Sequence, residues 1–185
     1  AEYLKDWGLT SMNASTAYAL GFNGSGVKIG VMDSGVLLNH PEFQDGRIHV
    51  VKTEGTYSKD GMRYPDASVG NGPINKNEPV KNGKRNFDKT DNGIFTKGEA
   101  FNIDGAWHKY TNDAHGTHVG GTMAASRDGN EMHGVAFGAN LYSANTGGND
   151  NMTYGPNQDY DFFLQGYSAL ADAGAKVINN SWGSN

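Results

Sequence analysis

Apolar positions along the chain fall into short runs separated by polar, glycine-rich stretches. Residues 27–32 (Val-Lys-Ile-Gly-Val-Met) are near-continuously apolar, the pattern of a short strand covered on both faces. Residues 139–144 (Ala-Asn-Leu-Tyr-Ser-Ala) and 176–180 (Lys-Val-Ile-Asn-Asn) predict two further strands. The period differs elsewhere. Residues 11–20 predict a short helix, which Ser11 or Asn13 can cap and which Gly21 with Asn23-Gly24 stops. Residues 115–126 predict a helix of small residues, one that holds only if packed closely against something flat. From about 158 to 173, Phe162, Phe163, Tyr167 and Leu170 recur at helical spacing on one face, and Gly174 ends the element. Strands alternating with helices predict an α/β fold with a doubly wound, mainly parallel sheet. In such sheets the active crevice lies outside the carboxyl ends of the strands. Asp33 and Ser181-Trp182-Gly183 both follow strands, so they are expected on the same rim.

Between about 52 and 112 the texture changes. Gly, Asn, Lys and Asp dominate, and the isolated aromatics (Tyr57, Tyr64, Phe87, Phe95, Phe101, Trp107) are too irregular for one amphipathic element. This stretch is poor in aliphatic residues, which predicts a long surface insertion in a single domain spanning 1–185. Small hairpins are expected at Asp91-Asn92-Gly93 and Asp104-Gly105. The chain stops at Asn185 directly after a predicted strand, so the expectation is the amino-terminal part of a larger domain.

Composition narrows the function. A net charge of −5 with no basic stripe argues against nucleic acid. No apolar run approaches the ~20 residues that span a bilayer, and no signal peptide is evident. With no cysteine, a disulfide framework, a thiolate zinc site and a cysteine nucleophile are excluded. The 27 glycines among 185 residues are about twice the usual share, which suits tight turns and close backbone approaches.

The candidate chemistry lies in an Asp at a strand end, Asp33-Ser34-Gly35, and a His at a helix start, His115-Gly116-Thr117-His118. An Asp that accepts from one imidazole nitrogen fixes the tautomer and leaves the other nitrogen to act as a general base. The bland readings are a turn aspartate and a helix-start histidine. His118, three residues on, shares a helical face with His115. No carboxylate stands nearby to complete a zinc site, so a buried, hydrogen-bonded structural role is expected for it.

Val31-Met-Asp-Ser-Gly, His115-Gly-Thr-His-Val-Gly-Gly-Thr, Gly134-Val-Ala and Val177-Ile-Asn-Asn-Ser-Trp-Gly together resemble the subtilisin-like serine proteases. The motifs occur in the family's order and cover most of the chain outside the 52–112 stretch. Met132–Phe137 and Asn179–Gly183 are most similar to the passenger domains of Gram-negative autotransporter subtilases. The resemblance implies a serine endopeptidase with Asp33 and His115 as two members of an Asp-His-Ser triad. It also implies a secreted or cell-surface location in a Gram-negative bacterium. The family's nucleophile lies in a Gly-Thr-Ser-Met-Ala-type motif, and no Gly-Thr-Ser occurs here. The serine and the family's oxyanion asparagine are therefore expected beyond residue 185, and this segment alone is expected to be inactive.

The same resemblance makes Ser181, Trp182 and Gly183 a substrate-binding strand that pairs with an extended polypeptide. Trp182 would wall the substrate pockets; a core or interface tryptophan is the alternative. Glu42 matches a family position that often holds a calcium-binding aspartate, and the loop 126–132 interrupts the helix where the family's partner calcium loop occurs. Glu42 and Asp128 are thus the candidate metal ligands, with calcium the only cofactor expected. Asp88–Glu99 nearly fits an EF-hand loop, but its Gly/Asn-rich flanks offer no helices and the match is read as chance. The expected partners are a polypeptide substrate and the remainder of the catalytic domain. A different function, a non-catalytic calcium-dependent binding or adhesion module on the same scaffold, would be distinguished by the downstream sequence.

Overall fold

The computed structural model describes residues 2–62, 94–95, 97–107, 114–146 and 160–182. Its centre is a four-stranded sheet of β1 (Lys28–Asp33), β2 (Ile48–Val50), β7 (Asn140–Asn145) and β8 (Ile178–Asn179), in the order β2-β7-β1-β8. Every pairing is parallel, which is the predicted α/β arrangement. β1 runs in register with β7 from Lys28 opposite Asn140 to Asp33 opposite Asn145. Because β1 has a strand on each side, its carboxyl end opens into the middle of the rim rather than at an edge.

Alternation along β1 divides the core in two. Val31 packs with Val36, Phe43, Ile48, Leu141, Ala124 and Ala125 under α3 (His115–Ala124). Met32 points the other way, to Ala144, Phe163 and Leu170 beneath α4 (Tyr160–Asp172). Both faces are covered, hence the near-continuous apolar run. No helix among the described residues is long and apolar enough to cross a membrane.

The amino-terminal helix differs from expectation. Residues 11–20 form not one helix but the end of α1 (Trp7–Ser11) and then α2 (Ala14–Ala19). Asn13 adopts a left-handed conformation, φ 55°, which breaks the helical path between them. α1 begins at Asp6, whose side chain accepts from the Gly8 N–H at 2.7 Å.

The surface insertion expected over 52–112 requires a larger correction. β3 (Lys52–Thr56) pairs antiparallel with β6 (Ala100–Asp104), with Thr53 opposite Ile103 and Gly55 opposite Phe101. Thr53, Tyr57, Phe101 and Ile103 are buried, and Tyr57, Phe101 and Ile103 join the cluster under α4. Both ends of the segment thus belong to the core. Of the buried positions Thr53, Tyr57, Phe101 and Ile103 only one is aliphatic, so a count of aliphatics does not register them. β4 (Gly61–Met62) and β5 (Ile94–Phe95) continue outward as a second antiparallel pair. Asp104-Gly105 is not a hairpin turn: the Gly105 carbonyl accepts from Val36 N–H at 3.0 Å. Asp91-Asn92-Gly93 and most of the EF-hand-like run lie outside the described residues.

This placement has a measurable consequence. Phe101→Ala should lower the unfolding free energy of the intact protein by about 3–5 kcal/mol, as for a core aromatic. Denaturant unfolding checks it; a loss within about 0.5 kcal/mol would restore the surface reading.

Candidate active site

The site is built where the turn after β1 meets the start of α3. Gly35 has φ +96°, and a Cβ there would lie 2.4 Å from the Ala106 carbonyl oxygen. A Cβ on Gly116 would lie 2.3 Å from the Gly35 carbonyl oxygen. Glycine at 116 lets the start of α3 meet the turn this closely, and glycine at 35 lets the turn meet the Ala106 backbone. Side chains then fix the contact: Gly116 N–H donates to Ser34 Oγ at 3.0 Å, and Leu37 N–H to Thr117 Oγ1 at 2.9 Å. Further along the helix, Gly120 would place a Cβ 3.1 Å from Val36. The run of small residues therefore packs as the sequence required.

That approach brings Asp33 and His115 together across 82 positions of sequence. Nδ1 of His115 lies 2.8 Å from Oδ1 of Asp33, whose side chain is 2% exposed against 43% for the histidine. The Ser34 N–H donates to the same Oδ1 at 2.7 Å. An ionised carboxylate only accepts, so the imidazole proton resides on Nδ1 and Nε2 keeps its lone pair. The pair is thus arranged as a base with its orienting acid. Asp33 Oδ2 is buried and has no hydrogen-bond partner among the described residues.

Trp182 is tied to the same strand end. Its indole N–H donates to the Met32 carbonyl at 2.6 Å, and its ring lies 5.7 Å from that of Phe163. It is half-buried against the α4-side core. Ser181 is exposed, and its Oγ accepts from Asn179 Nδ2 at 2.8 Å. Gly183 lies outside the described residues.

The candidate metal ligands sit behind α3. The Glu42 carbonyl accepts from Ser126 N–H at 3.0 Å and from its hydroxyl at 2.8 Å, which ties the turn Pro41–Phe43 to the loop after the helix. Burial pushes the Glu42 carboxyl up and the charge of Asp128 adds to this; His40 partly opposes them, and Glu2 and Glu131 add smaller upward pushes. Glu2 was not foreseen. It is buried, and one of its oxygens accepts from Gly129 N–H. An isolated acid so far from that loop in sequence carries no local signal. Oε2 of Glu2 and Oε2 of Glu42 are both buried without a hydrogen-bond partner among the described residues. Asp128 instead turns its oxygens to Asn130, at 3.0 and 3.1 Å. Among the described residues, no three His, Asp or Glu side chains converge as a ready-made metal site.

His118 is corrected. Gly116, Thr117, Gly120 and Ala124 form the buried face of α3, and His118 is exposed. It borders an open cavity of about 660 Å³ with Leu37, His40, Phe43, Trp107 and Met132. Asp33 and His115 do not line that cavity, so hydrogen-bond geometry and not concavity locates the chemistry.

Fold, motif order and the Asp33–His115 contact define a class, and comparison with known proteins agrees. Residues 24–185 match the model of the subtilase family of peptidases, and the chain belongs to that family. It is 33% identical over 187 residues to an extracellular serine protease of Serratia marcescens, covering 99% of this chain and 12% of that protein. Bacillopeptidase F of Bacillus subtilis is 31% identical, over 96% of this chain and 10% of its own length. Fervidolysin from Fervidobacterium pennivorans, a keratinolytic enzyme related to subtilisin, superposes with a TM-score of 0.52 at 25% identity, over 97% of this chain and 21% of its own. The chain thus spans about a tenth of the length of these two curated relatives.

The link behind α3 yields a pH prediction. Burial pushes the Asp45 carboxyl up, but hydrogen bonds from Arg47 and Ser126 and the Arg47 charge outweigh it and hold it below its ordinary range. A lowered carboxylate stabilises the fold above the unfolded value of 3.8 and ceases to as pH falls through the folded value. Asp45→Asn should therefore lower Tm at neutral pH, and the gap from the parent should close in acid below about pH 4. A gap that stays constant with pH would assign the loss to packing.

Proposed function

We propose that this chain supplies the Asp and His of a serine endopeptidase triad, in an enzyme that cleaves polypeptides through an acyl-enzyme. The observation that carries the reading is the 2.8 Å contact between His115 Nδ1 and Asp33 Oδ1, with the acid buried and the imidazole half-exposed. Asp33 holds the tautomer and stabilises the imidazolium. His115 Nε2 takes the proton of the nucleophilic hydroxyl and returns it to the leaving amine. The serine and the oxyanion asparagine come from sequence beyond residue 185. Ser181-Trp182-Gly183 lies along the extended substrate, with main-chain pairing to the peptide. The extracellular Serratia relatives support secretion, and the motif likeness supports an autotransporter passenger on a Gram-negative surface.

Calcium fits the carboxylates behind α3. Glu2 and Glu42 each bring a buried oxygen that lacks a donor among the described residues, and burial with the neighbouring Asp128 charge raises Glu42. A hard cation takes such oxygens together with backbone carbonyls, and Asp128 would have to leave Asn130 to join them. Bound there, calcium would supply charge neutralisation and no chemistry at the triad.

The catalytic reading is tested in the full-length protein. His115→Ala and Asp33→Asn should each lower kcat on a peptide substrate by about 10⁴-fold while circular dichroism is unchanged. Retention of turnover in folded His115→Ala would sink it. Calcium is tested by stability: chelation should lower Tm at neutral pH, and Glu2→Gln with Glu42→Gln should remove that response. Because the Glu42 value is raised from 4.5, protons compete with the ion, and the calcium-dependent gain should shrink as pH falls through that raised value. An undiminished response in the double variant would place the ion elsewhere.

A further inference from the structure

We infer that Asn145 is a positioning residue for the Asp33–His115 pair, acting through the backbone of Ser34; this rests on the protease reading above. Asn145 is the last residue of β7 and lies in register with Asp33, so both side chains project from the same face of the sheet. It is completely buried. Its Nδ2 reaches across 111 positions of sequence to the Ser34 carbonyl at 3.4 Å. The next residue, Thr146, donates its N–H to the Asp33 carbonyl at 2.9 Å. The end of β7 therefore grips the turn that carries the acid at two successive carbonyls, those of Asp33 and Ser34.

Ser34 is the relay. Its N–H holds Asp33 Oδ1, the oxygen that also faces His115, and its hydroxyl receives the Gly116 N–H from α3. A shift of the Ser34 peptide would move the carboxylate and the helix start together. A buried amide costs stability unless it is fully bonded, and Asn145 Oδ1 has no partner among the described residues. An aliphatic side chain of similar volume would suit a strand interior better. A polar residue in so unfavourable a position, one strand from the catalytic acid, points to a functional constraint on the turn.

The test uses the full-length enzyme and a small peptide ester. Asn145→Leu should fold with Tm equal to or above the parent, lower kcat by about tenfold or more, and leave KM within about twofold. Ser143→Ala, which deletes a buried hydroxyl bonded to the Gly105 carbonyl at 2.8 Å two residues earlier on the strand, should lower Tm and keep kcat. A folded Asn145→Leu with kcat within about twofold of the parent overturns the inference. Should that variant fail to fold, Asn145→Ser, too short to reach Ser34, is measured in the same way. If neither folds, the residue serves stability alone and the inference is overturned. His115→Ala in parallel separates the cases: a dead His115→Ala beside a normal Asn145→Leu rejects only the inference, whereas an active His115→Ala rejects the protease reading itself.

Discussion

The turn Asp33–Gly35 and the first turn of α3 approach until backbone touches backbone, and the rest of the site depends on that contact. Gly116 packs against the Gly35 carbonyl, and Gly35 packs against Ala106. A methyl group on Gly116 would push the helix from the turn by more than a hydrogen bond can tolerate, and one on Gly35 would drive the turn off the Ala106 backbone. The 2.8 Å contact between His115 and Asp33 is therefore a product of backbone packing as much as of side-chain chemistry. The histidine needs no cap or cage of its own. Its position follows from the helix, and the helix is fixed by what its glycines allow.

Around this contact the strand end is held from several directions. α3 reaches it through Ser34 and Thr117, β7 through Asn145 and Thr146, and the segment after β8 through the Trp182 indole on Met32. The two apolar layers give the framework its stiffness. Each buries alternate residues of β1, so a disturbance on either face reaches Asp33. The acid can remain almost wholly inaccessible because donors from Ser34 and His115 converge on one of its oxygens.

The parts legible in the sequence were those with strong periodicity or an invariant chemical need. The apolar runs of β1 and β7 announced buried parallel strands, and the glycine-rich helix announced a close-packed partner. Asp33 and His115 stood out because a strand-end acid and a helix-start histidine suit the rim of such a sheet. What was not legible depended on distant partners. Thr53 and Ile103 become core only through the antiparallel pairing of β3 with β6, which no local pattern in that polar stretch declares. Glu2 meets Gly129 across 127 positions, and nothing near Glu2 marks it. The exposure of His118 follows from which residues of α3 the glycines press against the sheet, a choice that three-residue spacing cannot make.

The strand that carries Asp33 is completed by pieces made long after it. Its neighbours in the sheet are residues 140–145 on one side and 178–179 on the other, so β1 has no partner while the intervening chain is being synthesised. Parallel pairings of such separation form slowly, because a long loop must close before any ladder contact rewards it. During that interval an apolar strand with open edges is exposed to other chains. Asp33 is thus made early and set in place late.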